Sequence, residues 1–167
     1  MANLISWINI AVVFGSIVLF GAVGETLTEK AGNLNLGTPG IMCMGGAFGF
    51  VGAYIYETSV GNPNAFMCIL VALGTAFIVS ALGGLIYSFL TTPLHANQNV
   101  TGLTLTIFGV GLGKFFGTYV IPKGAVSTKA DFATKIFRAR IPFLSDKLGV
   151  VGDILFSYGF MMYLALI

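Results

Sequence analysis

Asn33, Asn35 and Thr38 stand close together in the tract from Glu25 to Gly49, which reads ETLTEKAGNLNLGTPGIMCMGGAFG. Amides donate and accept hydrogen bonds, and so does a hydroxyl, so these residues suit contact with sugar hydroxyls or the edge of a base. The competing reading is capping, with Asn35 or Thr38 satisfying free backbone groups where a helix restarts. Asn97, Gln98, Asn99 and Thr101 form a second polar cluster at the head of an apolar run. A solute, an interhelical network or a plain helix start would each use them. Lys114 is the one charge well inside an apolar run. Such groups are functional candidates by default, unless the long stem carries the ammonium to the interface near Tyr119.

The composition that surrounds these groups sets the class. Hydrophobic residues make up 56% of the 167, charged residues 8%, and there are 23 glycines. Soluble domains carry about 25% charged residues, so most of this surface faces acyl chains or other membrane helices. The chain reads as an integral membrane protein. A net charge of +2 with the basic residues gathered in one loop excludes nucleic-acid binding. Cys43 and Cys68 are flanked by apolar residues, and His95 is alone. No metal site, cofactor set, paired carboxylates or catalytic triad can be assembled, so enzyme chemistry has no visible machinery. Gly113-Lys114 looks like the end of a P-loop, but Phe108 replaces its first glycine and Phe115 the Ser or Thr that holds magnesium.

Hydropathy divides the chain into an all-α bundle of about five spans. Leu4 to Gly24 is the first, about 21 residues and about 31 Å as a helix. No lysine or arginine precedes it, so a retained anchor fits better than a signal peptide. Leu36 to Tyr56 is the second, expected to be broken near its start by Gly37, Pro39 and Gly40. Glu57 to Asn64 is a turn, and Ala65 to Leu90 a third span with room to bend at Gly83 and Gly84. Asn99 to Ile121 is the fourth, Pro122 to Lys147 a soluble loop, and Leu148 to Ile167 a fifth run in which the sequence stops. That ending predicts the amino-terminal part of a longer protein, residues 1–167 forming part of one transmembrane domain. Gly45 and Gly49, and Gly109, Gly113 and Gly117, fall four apart and predict close helix packing. Gly46 and Gly52 lie alongside. Glu25 and Glu29 are expected at the interface, within reach of Lys30.

The stretch from Glu29 to Met42 resembles the signature of ABC importer permeases of the branched-chain amino acid and ribose group, closest to its nucleoside branch. The family pattern is roughly E-R/K-A/S-G-x-x-N-L/I-G-x-E-G-x-M. Leu94-His95-Ala96-Asn97-Gln98-Asn99-Val100-Thr101-Gly102-Leu103 is similar to the second recurring segment, LRANxxVSGL. Pro39 stands where many members have glutamate, and His95 where arginine is usual. The resemblance implies a type II ABC importer permease of the bacterial inner membrane, with about half its length in this chain. It implies separate ATP-binding subunits, a second permease subunit, identical or different, and an extracytoplasmic substrate-binding lipoprotein, all in membrane lipid. Nucleosides are the expected cargo, simple sugars such as ribose or galactose the alternative, and branched-chain amino acids the third. A small complete five-helix receptor or membrane enzyme is the alternative of another class.

Orientation is open at this stage. Lys123, Lys129, Lys135, Arg138, Arg140 and Lys147 would place the loop from Pro122 to Lys147 in the cytoplasm. The resemblance implies the opposite, because the loop that docks the ATPase would follow the fifth span.

Overall fold

The computed structural model describes residues 2–119, 131–137, 158–159 and 162–164, and every regular element among them is helical. Four long helices run in order: α1 (Ala2–Lys30), α2 (Thr38–Ser59), α3 (Ala65–Thr91) and α4 (Gln98–Tyr119). A short α5 (Asp131–Phe137) follows. Each of the four is long and apolar enough to cross a membrane: 22 residues of α2 rise about 33 Å. Most of the loop from Pro122 to Lys147 and of the fifth apolar run lies outside the described residues.

The chain forms two compact units, residues 24–133 and residues 1–23 with 134–167. In the smaller, the buried Tyr158 donates its hydroxyl to Asn9 Oδ1 at 3.0 Å. In the larger, α2 is central and packs along both α3 and α4, which touch each other far less. Met44, Tyr87 and Leu105 form the core there, flanked by Ile41, Val79 and Leu112. Large apolar side chains elsewhere, such as Phe14, Phe77 and Ile107, are exposed on helix flanks, as a bundle solvated by lipid requires.

Small residues set the helix spacing. A Cβ at Gly109 would overlap the backbone of Gly40, and one at Gly40 would overlap that of Leu105 and Thr106. Backbones of α2 and α4 thus lie close together here, the geometry small residues permit in membranes. Gly113 faces Cys43 on the same seam, while Gly45 and Gly49 lie against Ser80 and Ala76 of α3, and Gly52 against Thr75. Among the described residues, nothing lies within 4 Å of the Cβ position of Gly117, and the same holds for Gly46. Helix α3 runs through Gly83 and Gly84 as one continuous helix.

Helix ends are closed by side chains and turns. Asn64 Oδ1 accepts from Phe66 N–H at 3.0 Å and caps α3. Asn97 Oδ1 accepts from Asn99 and Val100 N–H at 3.0 and 3.2 Å and caps α4. Gly32, at φ 84°, ends α1: its N–H reaches Glu29 O at 2.9 Å and Asn33 N–H reaches Thr28 O at 3.0 Å. Those two bonds are the Schellman pattern, which needs a left-handed residue and so favours glycine. The interruption expected inside the second span therefore falls before it. Gly37 is the residue preceding α2, Pro39 sits in the first turn, where its missing N–H costs nothing, and Gly40 is already helical.

Candidate functional site

Between α1 and α2 the backbone from Asn33 to Gly37 is not helical. Unpaired amides and carbonyls cost several kcal/mol each in hydrocarbon, so this tract needs partners from its surroundings. Side chains from three helices supply them.

From α1, Glu25 Oε1 accepts from Asn35 N–H at 3.1 Å and Oε2 from the Thr38 hydroxyl at 2.6 Å. From α3, the Tyr87 hydroxyl donates to Leu34 O at 2.9 Å. From α4, Gln98 Oε1 accepts from Leu34 N–H at 3.0 Å, Gln98 Nε2 donates to Asn33 Oδ1 at 3.1 Å, and the Thr106 hydroxyl donates to Leu36 O at 2.7 Å. The tract also supports itself, with Asn35 Oδ1 accepting from Gly37 N–H at 2.9 Å. Gly102 lets α4 lie against it: a Cβ there would fall 2.8 and 2.9 Å from the Leu36 and Gly37 nitrogens.

The two polar segments, more than sixty residues apart in sequence, thus meet at one junction. Asn33, Asn35, Thr38 and Gln98 are brought together. Asn35 is only 6% exposed and holds the turn, while Asn33 and Gln98 are half-buried. Each of these two amides uses part of its hydrogen-bonding capacity in the junction and keeps further donors and acceptors. Thr101 is buried one turn into α4, Asn97 is the cap, and Asn99 is exposed. Lys114 is exposed, sixteen residues beyond Gln98 and so roughly 24 Å along the helix. It takes no part in the junction.

Glu25, Tyr87, Gly102 and Thr106 belong to the junction, although the sequence marks none of them as a candidate site residue. Glu25, expected beside Lys30, turns its carboxylate to the tract instead. A cavity of about 390 Å³ opens beside the junction between α3 and α4. Its wall is mostly apolar, with Ile86, Leu90, Val100 and Phe108, and the Thr104 hydroxyl on it is bonded to Val100 O. That surface does not suit a hydrophilic solute. Among the described residues no group of three or more His, Cys, Asp or Glu side chains could hold a metal.

The family model described as branched-chain amino acid transport system, permease component, matches residues 6–167. A proposed glucose ABC transporter permease of Haloferax volcanii is 33% identical over 111 residues, covering 66% of this chain and 31% of that protein. A guanosine ABC transporter permease of Bacillus subtilis and a nucleoside ABC transporter permease of Lactococcus lactis are each 23% identical over 145 residues. Those two matches cover 87% of this chain and 43% of each relative. The chain thus spans less than half the length of these relatives. No solved structure matches it significantly. With four apolar helices and a family match over nearly its whole length, the chain is a multi-pass membrane protein that belongs to the ABC importer permeases of the branched-chain amino acid transport family.

Proposed function

We propose that this chain forms the amino-terminal part of one permease domain that moves a small, uncharged, hydroxyl-bearing solute, nucleosides first, across the plasma membrane. Transport is by alternating access: helices rock about a polar site while separate ATPase subunits drive the change. The observation that carries this reading is the junction of Asn33, Asn35, Thr38 and Gln98 between apolar helices. Amides with unused donors and acceptors are suited to ribose hydroxyls and base edges. The one carboxylate at the junction is already bonded within it, which disfavours a zwitterionic amino acid as cargo.

Simple sugars are the second reading, favoured by the 33% identity to the proposed glucose permease. On either reading the partners are ATP-binding subunits, a second permease subunit and a substrate-binding lipoprotein, and this chain has no ATPase site of its own. Family membership weighs against a self-contained five-helix receptor or enzyme. The test is uptake of labelled nucleosides by cells expressing the whole transporter, with ribose and glucose as competitors. Saturable nucleoside uptake resistant to both sugars is expected. Uptake of free sugar without nucleoside would overturn the substrate.

A further inference from the structure

Helix α2 starts without a cap of its own: Gly37 precedes it and has no side chain to accept from the first turn. An acceptor for a side chain of that first turn, though not for its N–H groups, comes from another helix. Glu25, in the closing part of α1, places one carboxylate oxygen 2.6 Å from the hydroxyl of Thr38, the first residue of α2. The other oxygen is 3.1 Å from Asn35 N–H. A negative charge at a helix amino terminus is favourable, and hydrogen bonds to a charged acceptor are about twice as strong as neutral ones. The Schellman turn at Gly32 is what lets one carboxylate reach residues ten and thirteen positions downstream.

We propose that Glu25 is a positioning residue of the transport pathway, a clasp that ties the end of α1 to the head of α2. It keeps Asn33, Asn35 and Gln98 in register as the helices move. This rests on the reading of the junction as pathway lining. Motion of α1 against α2 must either open the clasp or carry the tract along.

The test uses the whole transporter in membranes, with Glu25→Ala, Glu25→Gln, Thr38→Val and the Glu25→Ala/Thr38→Val double variant. Uptake of labelled guanosine and of labelled glucose is measured per copy of transporter, giving separate maximal rates and KM values. Glu25→Ala is expected to lower the maximal rate per copy by about tenfold or more. Glu25→Gln restores most of it, because its amide oxygen still accepts from Asn35 N–H and its amide nitrogen can donate to Thr38 Oγ1. The double variant is no worse than Glu25→Ala, since both remove the same contact. A purely structural role would lower the number of copies and leave the per-copy rate alone. A Glu25→Ala rate within about twofold of the parent, or a Gln variant as poor as Ala, overturns the proposal.

Hydrogen exchange separates this outcome from a failure of the transport reading. Amides of residues 33–38 are expected to exchange faster in Glu25→Ala while those deep in α4 do not change. If the parent transporter imports neither solute, the functional reading fails; faster exchange then still supports the clasp, and unchanged exchange overturns it.

Discussion

Asn97 shows how a polar residue in a membrane helix bundle can be structural. Its side chain accepts from two amides of the first turn of α4, so Asn97→Ala is expected to cost about 1 kcal/mol. A lowered apparent melting temperature of the purified transporter would report it, and Asn97→Asp or Asn97→Ser should restore the loss. Gln98, the next residue, differs because its amide binds another segment. Replacing it with Leu leaves the Leu34 amide without its acceptor, a penalty of about 1–3 kcal/mol. Gln98→Glu keeps an acceptor for Leu34 but not the donor to Asn33, and should fall between the two in the same melting measurement.

Elements are joined where small residues let backbones touch. Gly102→Val would push a side chain into the Leu36 and Gly37 amides, with an expected loss of about 1–3 kcal/mol or failure to assemble. Gly117→Ala, whose Cβ would meet nothing among the described residues, should change stability by less than about 0.5 kcal/mol. Size-exclusion yield and melting temperature of the two variants, made side by side, would show the contrast. The four long helices were legible because an apolar run of membrane length admits little else. The spacing of Gly109, Gly113 and Gly117 gives a shared face, but not how far α2 runs beside it: α2 meets Gly109 and Gly113, and among the described residues nothing lies near the Cβ position of Gly117. Glu25 was not legible as part of the junction, because its bonds to Asn35 and Thr38 exist only once the chain reverses at Gly32. The signal for that reversal was present: a glycine two residues past Lys30, the basic last residue of α1, marks a helix end. Tyr87 and Thr106 reach Leu34 and Leu36 across 53 and 70 residues, distances for which no local pattern speaks. Pro39 suggests a break by its type alone, yet a proline in a first turn starts a helix, as it does in α2.

For the whole molecule, orientation and passage are the properties to measure. The basic loop follows the family topology on our reading, which places it outside the cell against the positive-inside tendency. Ser127→Cys, in a background lacking Cys43 and Cys68, is expected to react with a membrane-impermeant thiol reagent in intact cells. Absence of reaction until the cells are opened would reverse the orientation. The central claim is that the junction of the two polar segments borders a route for a hydrophilic cargo. Asn33 is a half-buried member of that junction and lies in the non-helical tract itself, so Asn33→Cys in the same background reports on it most directly. The whole transporter in membranes would be treated with a small water-soluble thiol reagent, with and without saturating nucleoside and binding protein. The account predicts labelling at residue 33 that slows severalfold when nucleoside is present. No labelling, or labelling that nucleosides and sugars leave unchanged, would contradict it.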